Sequence, residues 1–403
     1  MGEPLQPYEE NIRSSRRFEH ARDTASFFPT LKERCKYYWL VPARMILLIS
    51  FYCAYLFIAC EILSRILLPR LLTVNSKFIA STCDSMLRMQ WIDRHRTDNV
   101  QIYYSFDVYH QTRGWALKPN LRNFPCFENK TVNSNSKGVR GLREFDFDKP
   151  PAKKRIITLG DSYTFGDEVN DDETWPSYLQ KKIPEVEIIN LGVHGYGHDQ
   201  MLIYLEEEGL KYKPAIVMLG FISYDIERNI LSFRDYAKPK FELRGNNIAL
   251  VNTPVPTIES TLRREIWRSK FLDLASLVYN ALWQRTPGYQ KSKYTITNAI
   301  LNRMVSSIRK ANAIPVFLYL SSVQTMDQSD VVTPEESVFS KRWEAKGVKC
   351  VILRLYARSA MRQGKKIKEQ GQHFDAMTNE IIADGIKSYL DKNNLIGTSD
   401  SAR

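Results

Sequence analysis

The 403-residue chain contains no Cys-x-x-Cys pair and no cysteine–histidine spacing of the kind that holds zinc, which excludes a structural zinc module. Its six cysteines are scattered. Cys53 and Cys60 lie in an apolar segment and pack there as small hydrophobes. Cys83, Cys126 and Cys350 follow it, and an odd number leaves at least one thiol free, so no disulfide framework is implied. Nor is there a continuous basic run. The 57 Lys and Arg against 45 Asp and Glu give +12 and a pI near 9.2, but the densest pieces are only Lys153-Lys154-Arg155 and Lys365-Lys366-Ile367-Lys368. Scattered charge of this kind excludes a nucleic-acid stripe and suits anionic lipid or an acidic polysaccharide. No internal repeat and no glycine-rich phosphate loop occurs. Histidine is scarce as well. His194 and His198 are four apart but interrupted by Gly195 and Gly197, which rules out a helical metal pair. These absences call for no metal and no cofactor.

One long apolar run is present. Met45–Cys60 is sixteen residues without a charge, and Glu61–Leu68 continues it. At about 1.5 Å per residue the uncharged part covers roughly 24 Å, short of the roughly 30 Å hydrocarbon core, so a span must include the next turns. Glu61 and Arg65, four apart, can pair or snorkel to the interface. The alternative is a buried core helix. A cleaved signal peptide fits less well, because 44 residues precede the run and no small-residue cleavage site closes it. Lys32, Arg34, Lys36 and Arg44 precede the span and Arg65, Arg70 and Lys77 follow it, a small tilt towards a cytoplasmic amino terminus.

The most informative stretch is Arg155–Leu159 followed by Gly160-Asp161-Ser162-Tyr163-Thr164-Phe165. A β-branched run ending in Gly-Asp-Ser sets a hydroxyl at the carboxyl end of a buried parallel strand, where α/β sheets bind their ligands. Ser162 is the candidate nucleophile. A second block, Val186–Asn190 and then Leu191-Gly192-Val193-His194-Gly195-Tyr196-Gly197, is a strand with a glycine-punctuated loop. Gly195 lacks a side chain, so its amide can approach a substrate oxygen; the plainer reading is a strand-to-helix turn. The third block, Gln370-Gly371-Gln372-His373-Phe374, precedes a helical pattern, and its histidine is the last of six.

Together these blocks resemble the SGNH hydrolases, also called the GDSL family, over about 133–390, with lead-in segments Gly114–Asn120 and Gly138–Gly141. The resemblance implies Ser162 as nucleophile, Gly195 and the Ser162 amide as oxyanion donors, and His373 as general base. It also implies an ester hydrolase or an O-acyltransferase anchored in a membrane, with the catalytic domain on the extracytoplasmic, periplasmic side. Two positions depart from the family pattern. Tyr224 stands where an oxyanion-donating Asn is expected, after Ile216–Gly220. Gln370 stands where an Asp orients the histidine, with Glu369 one residue off register. An amide cannot stabilise an imidazolium as a carboxylate does. Asp161 and Asp225 are read as supporting residues. If the departures silence the site, the chain is a carbohydrate- or lipid-binding subunit instead.

The expected architecture is α/β, a flavodoxin-like three-layer α/β/α domain with a parallel sheet, preceded by one transmembrane helix. The segments are a polar amino-terminal stretch (1–44), the membrane helix (45–68), a connecting region (69–152), the hydrolase-like domain (153–392) and a tail (393–403). An insertion at 230–296 contains a hairpin around Gly245-Asn246-Asn247, able to wall the cleft or merely decorate the surface. Its Trp267, Tyr279, Trp283 and Tyr289 suit sugar stacking or core packing. The expected partners are the lipid bilayer and an acylated glycan or lipid, with no nucleic acid.

Overall fold

The computed structural model describes residues 31–73, 83–96, 106–148, 153–245, 247–322, 326 and 331–396. The chain divides into two units, Met1–Leu68 and Pro69–Arg403. The first holds most of helix α1 (Leu31–Thr73). Within α1, Pro42–Leu71 is long and apolar enough to cross a membrane. Leu47, Leu48, Phe51 and Tyr55 all stand exposed, as expected of a helix apolar all round rather than along one stripe. The helix begins at Leu31, so residues 31–44, expected to be a polar surface segment, are helical.

In the second unit, α2 (Asp84–Arg96) leads to two hairpins, β1 (Asp107–His110) with β2 (Gly114–Leu117), and β3 (Phe124–Cys126) with β4 (Lys130–Val132). The described residues of the region expected to be a connector are therefore folded, with Phe106, Trp115 and Val132 fully buried. Next come β5 (Lys154–Leu159), α3 (Ser162–Phe165), α4 (Trp175–Lys182), β6 (Val186–Asn190), α5 (His198–Glu207), β7 (Ile216–Phe221) and α6 (Asp225–Arg228). The insertion supplies the hairpin β8 (Lys240–Arg244) and β9 (Asn247–Val251), then α7 (Ile258–Ile266) and α8 (Lys270–Trp283). The chain closes with α9 (Pro287–Lys310), β10 (Ile314–Tyr319), α10 (Pro334–Glu344), β11 (Lys349–Ile352), α11 (Leu353–Arg362), the short hairpin β12 (Glu369–Gln370) and β13 (His373–Phe374), and α12 (Ala376–Lys392). Helix α9 opens on a proline. Pro287 occupies its first turn and Thr286 caps it, so the proline begins the helix rather than breaking it.

The five central strands pair in parallel in the order β11-β10-β7-β5-β6, the flavodoxin-like arrangement. Successive residues of a strand face opposite sides of the sheet, and the sequence loads both sides. Ile157, Leu159, Val217, Leu219 and Phe317 face the layer carrying Met201 and Leu205 of α5 and Ile300 and Met304 of α9. Ile156, Ile216, Met218, Val316 and Leu318 face Trp175 and Leu179 of α4, Ala357 of α11 and Ile382 and Ile386 of α12. The expected α/β/α layering is observed. Leaving β5, the chain passes to β6 on one flank and then to β7 on the other, and that switch point is where such sheets open a crevice at their carboxyl ends.

Candidate active site

Ser162 is the first residue of α3, immediately past the end of β5. Asp161 caps the helix by accepting a hydrogen bond from the Tyr163 amide at 3.0 Å. Asn190, at the end of β6, ties the neighbouring loop to the same turn. Its Nδ2 donates to the Thr164 and Phe165 carbonyls at 3.0 and 3.3 Å, and its Oδ1 accepts from the Gly192 amide at 3.0 Å.

His373 reaches this turn from the far end of the chain, with Nε2 2.8 Å from Ser162 Oγ. Tyr163 holds the segment that carries it. The Tyr163 hydroxyl donates to the Gln372 carbonyl at 3.0 Å, and its ring lies 5.0 Å from the imidazole and 4.9 Å from Phe374. The other ring nitrogen, Nδ1, is 3.4 Å from Glu168 Oε1, an ion-pair distance. Glu168 Oε2 accepts from the Gln372 and His373 amides at 3.0 and 3.2 Å. Burial works to raise the Glu168 pKa, but the imidazole and these amides hold it below the ordinary value. Burial likewise opposes charge on His373, yet Glu168, with Asp167 and Asp161, raises its pKa above 6.5.

The carboxylate found at His373 Nδ1 is that of Glu168, a residue to which the family pattern does not point. Gln370 is the cross-strand backbone neighbour of His373 in the β12–β13 hairpin; the side chains of Glu369 and Gln370 lie outside the described residues. Glu168 escapes a linear reading because it works from a left-handed backbone conformation, φ 68°, six residues after the serine.

Ser162, His373, Gly195 and Tyr224 share one cavity of about 190 Å³, with Tyr163, Asp167, His194, Arg228, Arg234, Asp235 and Gln372 completing its wall. Gly195 has φ 75°, and a Cβ there would lie 2.3 Å from Asp235 Oδ2, so the position admits only glycine without rearrangement. Beneath it, Arg228 Nη1 donates to Asp161 Oδ2 at 2.9 Å, Asp225 Oδ1 at 2.5 Å and the Tyr196 carbonyl at 2.9 Å. Burial, with Asp161 nearby, pushes the Asp225 pKa well above the ordinary value despite Arg228. Asp161 and Asp225 therefore support the site by holding one arginine. His194 Nε2 meets Asp107 Oδ2 at 2.9 Å. Burial disfavours its charge, but Asp107 prevails and its pKa is pushed up to about 9. The β1–β2 hairpin thereby reaches the cavity wall, a contribution its short strands do not announce. Trp267, Tyr279, Trp283 and Tyr289 do not line this cavity, and neither does the β8–β9 hairpin. Among the described residues no group of three His, Cys, Asp or Glu is placed to hold a metal.

A parallel α/β sheet with serine, histidine and carboxylate converging at its carboxyl edge defines the class of site. No family model and no curated protein matches the chain. Solved structures similar to it include a lipolytic protein of the G-D-S-L family from Veillonella parvula, at 13% identity over 59% of this chain and 99% of that one, TM-score 0.35. Others are the psychrotrophic esterase EstA from Pseudoalteromonas sp., at 14% identity over 60% and 98%, TM-score 0.34, and the acetyl xylan esterase AlAXEase, at 13% identity over 59% and 99%, TM-score 0.34. At so low a likeness, the chemistry of this site is read from its own atoms.

Proposed function

We propose that the protein is a serine-dependent O-acyl ester hydrolase, anchored by α1, that acts on an acylated glycan or lipid at the cell surface. The observation that carries this reading is the 2.8 Å contact between His373 Nε2 and Ser162 Oγ, with Glu168 at the opposite ring nitrogen. Geometry of this kind lets a neutral imidazole take the hydroxyl proton as the oxygen attacks, while the carboxylate stabilises the imidazolium that forms. Ser162 Oγ bonds to the ester carbonyl carbon, and the carbonyl electron pair moves onto oxygen. The Ser162 and Gly195 amides and Tyr224 receive that oxyanion, with the charged His194 and Arg228 adding positive potential. Collapse expels the alkoxide, which takes the proton from His373. Water then repeats the sequence and releases the carboxylic acid and free Ser162.

The cavity favours a polar carrier with a small acyl group. It is lined by charged side chains, among them Asp167, whose pKa burial raises despite His373 and His194. The same polarity suits an acceptor hydroxyl in place of water, which would make the reaction an O-acyl transfer. We also propose that the hydrolase domain lies on the extracytoplasmic side, as the resemblance implies and the small charge tilt around α1 supports.

A fluorophosphonate probe tests the nucleophile. The wild-type protein becomes covalently labelled and Ser162→Ala does not. Equal labelling of both rejects Ser162, and absence of labelling in either moves the protein to the silent binding-subunit class. Release of acetate from an acetylated oligosaccharide, or of an acetylated oligosaccharide's acyl group onto a second sugar, separates hydrolysis from transfer.

A further inference from the structure

Helix α8 wears its apolar residues on both sides. Asp273, Leu277 and Ala281 form the buried stripe, while Leu272, Tyr279 and Leu282, at 59%, 64% and 55% exposure, form a second stripe facing solvent at the same helical period. Helix α7 continues that outer surface with Leu262 and Ile266. At the corner between the helices Trp267 is 90% exposed. Arg263, Arg264 and Arg268 stand exposed around it.

The other side of this helix pair is fixed to α2. Arg88 of α2 pairs with Glu265 and, at 2.6 Å, with Asp273, both buried, and Ser85 Oγ donates to Ser276 Oγ at 3.1 Å. Helix α2 is the first element after α1, beginning at Asp84 where α1 ends at Thr73. Ten intervening residues extend to at most about 35 Å.

We propose that the outer face of α7–α8, centred on Trp267, lies in the headgroup region of the membrane and binds anionic phospholipid. This rests on the reading that α1 spans the bilayer. A helix face of Leu, Ile, Tyr and Trp edged by arginine is the composition of an interfacial helix, and aromatic rings favour the headgroup level. The arginines attract anionic headgroups within a Debye length of the surface. A soluble partner would not account for the basic edge around an aromatic and aliphatic face.

The test places photoreactive p-benzoylphenylalanine at position 267, and separately at Phe51 within α1, in the full chain reconstituted in phosphatidylcholine vesicles with and without phosphatidylglycerol. Irradiation followed by mass spectrometry is expected to give phospholipid adducts at both positions. Lipid adducts at 51 with none at 267, or covalent dimers at 267, would overturn the docking proposal and leave the anchor standing. Adducts at 267 with none at 51 would reject the anchor and keep the docking surface. Absence of adducts at both overturns both. The double change Arg263→Glu and Arg264→Glu should lower the yield at 267 roughly threefold or more in phosphatidylglycerol vesicles and leave that at 51 unchanged; an unchanged yield at 267 would overturn the anionic-lipid assignment.

Discussion

Gly371 and Glu168 fit each other so closely that a Cβ on the glycine would lie 2.5 Å from both carboxylate oxygens. Gly371 also has φ 65°. The missing side chain is what lets the hairpin lay its amides and His373 against Glu168. Gly371→Ala should therefore abolish most esterase activity while the far-ultraviolet circular dichroism stays native, because strain and displacement fall on a surface hairpin rather than the core. Activity within about twofold of wild type would show that the carboxylate does not depend on this approach.

Glu168→Gln should lower kcat on an activated acetyl ester by roughly 10²–10⁴, the range for losing an orienting acid. The pH profile separates this from simple misfolding. The His373 pKa is raised above 6.5, with Glu168 among its causes, and the imidazole must be neutral to act as base. The acid limb of kcat/KM should thus lie above pH 6.5 in the wild type and move to lower pH in Glu168→Gln. Because the carboxylate is already supplied by Glu168, Gln370→Asp should leave the rate nearly unchanged.

His194 gives a stability prediction. Its pKa is raised from 6.5 to about 9, so the Asp107 pair stabilises the fold fully below about pH 6.5, and the contribution is lost as pH rises through about 9. Urea midpoints measured from pH 6 to pH 10 should fall across that window, and Asp107→Asn should flatten the fall.

Lys238 and Asp199 form an ion pair with both side chains fully buried, and Lys238 Nζ also donates to the Arg228, Leu231 and Pro239 carbonyls at 3.1, 3.0 and 2.9 Å. Lys238→Met alone should cost about 3–5 kcal/mol by stranding a buried carboxylate. Adding Asp199→Leu should recover much of it, a difference that a double-mutant cycle in urea measures directly.

The sheet was legible because its evidence is local. Ile156-Ile157, Ile188-Ile189 and Ile216-Val217 are β-branched runs spaced by helical stretches, and strands buried on both faces leave that record. Ser162 and His373 were singled out by the resemblance of their blocks to a known family, since Gly-Asp-Ser and a lone histidine each occur in many other settings, and the fold brings the two side chains to 2.8 Å. Glu168 was not, since its role arises from a left-handed turn and a hairpin 204 residues away. Asp107 and Trp115 were hidden for a related reason. Strands of four residues carry too little period to mark a hairpin, and the contacts that recruit them, His194 to Asp107 and the Trp115 indole to the His194 carbonyl, are visible only after folding. The outward stripe on α8 follows a helical period that core packing also produces, so composition alone could not say which side it faced.

The 211-residue separation of Ser162 from His373 has a meaning during synthesis. At about 5–20 residues per second a ribosome takes roughly ten to forty seconds to travel from the nucleophile to its base. Throughout that interval the emerging chain carries an unactivated hydroxyl. On the chemistry proposed above, esterolysis begins only when the final hairpin docks, and any product truncated before His373 is left without its base.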